Sequence, residues 1–239
     1  MSAIDVIEAV RNARNAPEPV ICERFDNLGR NGAPRRIGIM GGTFDPIHNG
    51  HLILAEHVME EFGLDEIWFM PNGNPPHKDQ SSIKMDAAIR SHMVELAIAD
   101  KEAFRLEKYE ILKKGVCCSY ETMAHFVKQY PENEFYFIIG ADSLFALESW
   151  VHPELLVPNC IRLAAFRGEI DTAEEMNIQI QYLKNKYNAK IELLNAPMIH
   201  VSSSELRERL MSGKSVTGWI PKAVEAYIEK ERLYGSENK

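Results

Sequence analysis

From Arg36 to the C-terminus, short runs of β-branched and aromatic residues alternate with longer amphipathic stretches. IGIM (37–40), EIWFM (66–70), FYFIIG (135–140), IRLAAF (161–166) and KIELL (190–194) are compact apolar runs bounded by turn residues, the pattern of buried strands. Apolar residues recur at helical spacing near 50–62, 84–99, 119–130, 172–187, 204–211 and 221–232. Such alternation predicts an α/β fold: a Rossmann-like, doubly wound, mostly parallel sheet with helices on both faces. No second shift of composition interrupts it, so residues 37–235 read as one domain and 236–239 as a tail. Residues 1–36 differ. Ile4, Val6, Ile7 and Val10 make a short amphipathic stretch, and the turn-rich NAPEP and GRNGAP follow. They read as an appendage of one helix and a linker, with no role assigned.

Composition narrows the function classes. With 45% apolar and 26% charged residues in 239, the chain matches a soluble globular protein rather than a disordered or coiled-coil one. Its apolar runs fall short of the ~18–20 residues that span a bilayer, and MSAIDVIEAVRNARN is charged where a signal peptide needs an apolar core. A cytoplasmic protein with no membrane partner is expected. Cys22, Cys117, Cys118 and Cys160 include no CxxC pair and read as free thiols rather than a zinc cage or a disulfide framework. The net charge of -8 disfavours nucleic acid as a partner. For an anionic ligand, positive charge must be gathered locally. Oligomeric state, including a homo-oligomer, stays open.

The densest chemistry lies between Gly41 and Gly63, where the first strand runs directly into the first helix. That junction is where an open α/β sheet binds phosphates. Gly41 and Gly42 let a phosphate chain approach the backbone, Thr43 and Phe44 continue the loop, and Asp45 and Pro46 can stiffen its turn. His48 and His51 are three apart, so their rings can point the same way beside the first-turn N–H groups. The pattern is neither GxGxxG nor the Walker lysine loop. A zinc site using both histidines lacks a third ligand of convincing spacing, which leaves phosphate contact as the better reading.

Near the other end, HVSSSELRERLMSGKSV begins a helix. Ser202 and Glu205 have capping-box spacing and Gly213 marks a helix stop, but capping explains neither three consecutive serines nor Arg207, which can reach an anion at the same N-terminus. Between these motifs, PNGNPPHKD (71–79) offers Asn72, His77 and Lys78 as donors for a monophosphate. GADSLFALESW places Asp142 at a strand end, within reach of a ribose hydroxyl, and Trp150 eight residues later, where it can stack on a flat ring, although an isolated tryptophan is more often core. CSYETM (118–123) starts a helix whose backbone N–H groups, around Tyr120, Glu121 and Thr122, could hold a carboxylate.

GTFDPIHNGH resembles the signature of the HIGH-type nucleotidyltransferases, and HVSSSELR resembles their ISSTxIR motif, with Arg207 at the motif arginine. Together with PPHK, SY(T), GAD and its tryptophan, and the ending WIPKAVEAYIEKERLYG, the chain from about Gly38 to Gly235 resembles the bacterial nicotinate-nucleotide adenylyltransferases. The resemblance implies adenylyl transfer from ATP to nicotinate mononucleotide, giving nicotinate adenine dinucleotide and pyrophosphate. His48, His51 and Arg207 would be catalytic. The ATP side would add Gly41, Gly42, Thr43, Phe44, Asp142, Ser202 and Ser203, with Mg²⁺ held by the ATP phosphates and no metal held by the protein. Lys78 and His77 would take the acceptor phosphate, Trp150 the pyridine ring, and the turn at 120–122 its carboxylate.

The chain departs from the family pattern at three positions: Leu206 stands for an isoleucine, His200 for an acidic residue, and Glu121 for a threonine beside the substrate carboxylate. An acid there repels a bound carboxylate unless it faces solvent or a basic partner. Three alternatives remain: another adenylyltransferase of the superfamily, acting on nicotinamide mononucleotide or phosphopantetheine; a non-catalytic nucleotide-binding regulator; and a zinc hydrolase.

Overall fold

The computed structural model describes residues 34–74, 83–165, 173–195 and 201–235. Six strands form one sheet: β1 (Arg36–Gly42), β2 (Glu66–Pro71), β3 (Phe104–Leu106), β4 (Glu134–Gly140), β5 (Ile161–Ala165) and β6 (Ile191–Leu194). Nine α-helices are described: α1 (Asn49–Phe62), α2 (Ala87–Ile98), α3 (Tyr109–Leu112), α4 (Ser119–Gln129), α5 (Ala141–Phe145), α6 (Pro153–Leu156), α7 (Ala173–Tyr187), α8 (Ser203–Met211) and α9 (Lys222–Lys230). Helix bounds follow local chemistry. α2 begins only after Asp86, whose carboxylate accepts the Ile89 N–H at 2.9 Å, and α1 ends on Gly63 in the left-handed region at φ 57°.

The strand order is β3-β2-β1-β4-β5-β6 and every pairing is parallel. The predicted doubly wound sheet is therefore present. The chain runs outward from β1 to β3 and then crosses back to place β4 on the other flank of β1. The crevice at the C-terminal ends of β1 and β4 is thus the topological switch point, where open α/β sheets bind ligands.

Period-two alternation sends side chains into two apolar layers. Ile37 and Ile39 of β1 and Phe135, Phe137 and Ile139 of β4 face the layer capped by Met123 and Phe126 of α4 and Ile180 and Leu183 of α7. Met40, Tyr136 and Ile138 face the opposite layer, with Leu52 and Val58 of α1, Met93 and Val94 of α2, Leu206 of α8 and Val224 of α9. Helices cover both faces, so the strands read as continuous apolar runs.

Two expectations are corrected. The sheet has a sixth strand, β3, whose three residues pair with β2 at the edge and are too few to show a period. The first strand begins at Arg36, so that residue belongs to the sheet and not to the appendage. Residues 1–33 lie outside the described residues, as does the tail at 236–239.

Candidate active site

β1 ends on Gly41 and Gly42, and the loop that follows turns through Phe44 at φ 51° into buried Asp45, Pro46 and Ile47 before α1 begins. His48 is the N-cap of α1, in extended conformation at φ -142°, and makes a reciprocal capping box with His51 at the third helical position. The His48 N–H donates to His51 Nδ1 at 3.2 Å, and the two rings stack at 3.6 Å between centroids. The rings therefore do point the same way. Because Nδ1 of His51 accepts a backbone N–H, a neutral His51 ring carries its proton on Nε2 and can present that N–H as a donor.

The serine motif arrives at the same place from the far end of the chain. Ser202 is the N-cap of α8 and accepts the Glu205 N–H at 3.2 Å, in the spacing read from the sequence. The next two serines have separate duties: the Ser203 hydroxyl donates to the Pro46 carbonyl at 2.9 Å, and Ser204 Oγ accepts from Arg207 Nη2 at 3.1 Å. Arg207 Nη1 donates to the Asp45 carbonyl at 2.7 Å. Two side chains of α8 thus fasten its N-terminus to the Asp45–Pro46 turn that leads into α1. Gly50 permits the close approach, since a Cβ there would lie 2.9 Å from Val201 Cγ1 and 2.9 Å from His48 Nδ1. Two helix N-termini and Arg207 converge beside the Gly41–Gly42 loop, concentrating positive potential in a chain of net charge -8.

The residues expected to meet the acceptor lie on and beyond the neighbouring strand ends, as far as they are described. Asn72 follows β2, its N–H donating to the Gly42 carbonyl at 2.8 Å, and Cys117 N–H donates to the Asn74 carbonyl at 3.0 Å, which ties the segment before α4 to that loop. Gly73 lets the same loop lie against α3, because a Cβ there would come within 2.0 Å of the Glu110 carbonyl oxygen. His77 and Lys78 lie outside the described residues, as does His200. On the other flank, Asp142 is exposed in the first turn of α5, just beyond Gly140, and Trp150 is half-buried with its ring 6.3 Å from that of Phe137.

At the N-terminus of α4, Tyr120 is buried and donates its hydroxyl to Glu121 Oε1 at 3.2 Å. Glu121 Oε2 accepts from Lys113 Nζ at 2.6 Å, so the acid does face a basic partner. The Thr122 hydroxyl is fully buried and donates toward Glu110 Oε1 at 3.0 Å. The Thr122 N–H donates to the Cys118 carbonyl at 3.1 Å, as the Glu121 N–H does at 3.0 Å, so both the hydroxyl and the N–H of Thr122 are committed within the protein.

Three residues were missed by the sequence reading as parts of this site. Asp45 was read only as a turn former, yet it is fully buried, accepting the Tyr234 hydroxyl at 2.5 Å and the Lys84 N–H at 2.7 Å. Tyr234, near the end of the described chain, was read only as part of the closing WIPKAVEAYIEKERLYG segment, and Arg90 on α2 was not singled out. Burial pushes the Tyr234 hydroxyl well above the ordinary tyrosine range, and its bond to Asp45 pushes it further.

Residues 39–209 match the family model described as cytidylyltransferase-like. The chain is 44% identical over 200 residues to a protein of Lachnoclostridium phytofermentans named "probable nicotinate-nucleotide adenylyltransferase", covering 84% of this chain and 99% of that one. A Lactiplantibacillus plantarum protein of the same name is 40% identical over 202 residues, covering 84% and 88%. Among solved structures, the fold is similar to that of Plasmodium falciparum nicotinic acid mononucleotide adenylyltransferase complexed with NaAD, with a TM-score of 0.69, 23% identity, and coverage of 85% of this chain and 98% of that one.

Proposed function

The chain belongs to the cytidylyltransferase-like family and, within it, to the nicotinate-nucleotide adenylyltransferases, and from that premise we propose that it transfers the adenylyl group of ATP to nicotinate mononucleotide. A phosphate oxygen of the mononucleotide attacks the α-phosphorus of ATP. The new P–O bond forms as the bond from the α-phosphorus to the bridging oxygen breaks, giving nicotinate adenine dinucleotide and pyrophosphate. No protein nucleophile is required, because positioning and charge stabilisation carry such transfers.

The reading is carried by the junction at Asp45–Pro46, which brings His48, His51, Ser203 and Arg207 to one strand end. His51 donates its Nε2–H to the triphosphate, beside His48 and the first-turn N–H groups of α1 and α8. Arg207, preoriented by Asp45 and Ser204, presents its remaining N–H groups to phosphate oxygens. The Ser203 hydroxyl already donates its single proton to Pro46, so its backbone N–H is the better phosphate donor. Gly41, Gly42, Thr43 and Phe44 line the phosphate path, Ser202 caps α8, and Asp142 accepts from the ribose. Asn72, His77 and Lys78 take the acceptor phosphate, Trp150 the pyridine ring, and the Tyr120–Thr122 turn the carboxylate.

Among the described residues, no three His, Cys, Asp or Glu side chains are grouped so as to hold a metal ion. A divalent cation, Mg²⁺ in this reading, would be held by the ATP phosphates and would supply charge neutralisation for the leaving pyrophosphate.

The test is pyrophosphate release from ATP and Mg²⁺ with nicotinate mononucleotide, nicotinamide mononucleotide and phosphopantetheine side by side. The expected result is highest turnover over Michaelis constant with nicotinate mononucleotide. A clear preference for the amide would move the enzyme to another branch of the superfamily, and no release with any acceptor would favour a nucleotide-binding regulator.

A further inference from the structure

Arg90 plays no part in the reaction as described, yet only 2% of it is exposed and its guanidinium points beneath the cleft. Among the described residues its guanidinium donates to three backbone carbonyls: Nη1 to Thr43 at 2.7 Å, Nη2 to Asn72 at 2.9 Å and Nε to Met85 at 3.2 Å. Thr43 follows β1 on the nucleotide side. Asn72 follows β2 on the acceptor side. One planar group therefore spans the two loops assigned to the two reactants.

Strand pairing does not need this contact. The β1–β2 ladder continues to Gly42 opposite Pro71, and the Asn72 N–H closes on the Gly42 carbonyl. What Arg90 adds is the orientation of the two peptide groups just beyond the ladder. Burial pushes the Arg90 guanidinium below its ordinary range and the charge of Asp45 opposes that shift; the Asp45 carboxylate is fixed by Tyr234 and Lys84, and its carbonyl receives Arg207. Arg90, Asp45 and Arg207 thus form one connected system, with a cation below the loop and another at its rim.

We propose that Arg90 is a positioning residue for adenylyl transfer: its planar guanidinium holds the nucleotide loop and the acceptor loop at one separation, so that the acceptor phosphate meets the α-phosphorus in line. The proposal rests on the function given above. A lysine keeps the charge but not the fixed angle between donors. In Arg90→Lys, kcat is expected to fall about 100-fold, the scale of a small misalignment of reactants, with the Michaelis constants for ATP and acceptor each within about threefold. A merely structural arginine predicts instead that kcat per folded molecule stays put while the melting temperature drops.

The assay uses whichever of nicotinate and nicotinamide mononucleotide gives the wild type its higher turnover, with melting and circular dichroism recorded on the same samples. Absence of wild-type turnover refutes the functional reading and takes the proposal with it. With an active wild type, a folded Arg90→Lys whose kcat is near normal, or whose Michaelis constants alone rise, overturns the proposal and leaves that reading intact. Arg90→Gln, with donors in a plane but no charge, is the second variant and is expected to show the same split. If neither variant folds, Arg90 is a folding residue and the proposal fails.

Discussion

At the residue scale, the proposed role of His51 as a phosphate donor rests on its Nδ1 being committed to the His48 N–H, which leaves Nε2 to carry the ring proton. His51→Ala removes one phosphate donor together with half of a capping box. Turnover should fall about 100- to 1000-fold, the usual loss for one such donor. The cap itself should cost about 1 kcal/mol of stability, so steady-state kinetics and a thermal melt on the same variant separate the two effects. A rate close to wild type removes His51 from the mechanism. Cysteine chemistry at this scale is quiet. Burial, reinforced by the charge of Glu121, pushes the Cys118 thiol up to about 12. Its thiolate fraction at pH 8 is then roughly 1000-fold below that of an ordinary thiol, and the thiolate is the nucleophile. Brief treatment of the native protein with iodoacetamide should leave the peptide containing Cys118 unmodified, whereas denaturant should expose it; rapid native labelling would contradict the burial.

At the scale of the element, the N-terminus of α4 resolves the misplaced acid. The Glu121 carboxylate is neutralised by Lys113 in a half-buried pair, so an acid stands beside the proposed carboxylate site without a bare negative charge. Burial is the largest single influence and lowers the Lys113 pKa, but the hydrogen bond to Glu121 and the charges of Glu121, Tyr109 and Cys117 together outweigh it and the net shift is upward. A raised lysine stabilises the fold below its unfolded value and loses that contribution as pH rises through the folded one, so the pair persists at neutral pH and weakens only in the alkaline range. Glu121→Thr leaves Lys113 available to an incoming carboxylate. Turnover over Michaelis constant for nicotinate mononucleotide should stay level or rise two- to fivefold, equivalent to about 0.5–1 kcal/mol for a partly exposed charge contact. The Michaelis constant for ATP should not change. A gain for nicotinamide mononucleotide instead would show that Glu121 was repelling neither substrate through its charge.

For the whole molecule, the boundary of the appendage is decided by what Arg35 and Arg36 hold. Arg35 pairs with Glu66 at 2.6 Å and its carbonyl accepts the Glu134 N–H, while the Arg36 carbonyl accepts the Asp65 N–H at 2.8 Å and its side chain bonds the Tyr136 hydroxyl. Both arginines therefore sew β1 to its two neighbours. Deleting residues 1–33 should leave turnover and melting temperature close to those of the full chain, because every proposed site residue lies beyond them. Deleting through Arg36 should lower the melting temperature sharply by removing these contacts. A folded but inactive 1–33 deletion would show that the appendage reaches the cleft or completes it in an oligomer.

Much of the fold was legible along the chain because strands and helices are encoded by residues two, three and four apart. The unbroken apolar run FYFIIG, the strand–loop–helix of GGTFDPIHNGH and the Ser202–Glu205 spacing each carry their own structural meaning. β3 was not legible, since three residues have no period of their own. Of the proposed site, the stacked histidines and the cap of α8 could be read locally. The duties of Ser203, Asp45 and Arg90 could not. Their partners are backbone carbonyls, distant hydroxyls or residues brought close only by folding, and a carbonyl leaves no mark in the amino-acid alphabet. Lys113 lies eight residues before Glu121, a spacing that joins nothing until α3 and α4 are packed. The sequence by itself determined most of the strand and helix segments and the Ser202–Glu205 cap. Only the tertiary structure decided that two helix N-termini, far apart in the chain, share one buried turn, because that choice depends on the packing of Gly50 against Val201 and of α8 against the sheet.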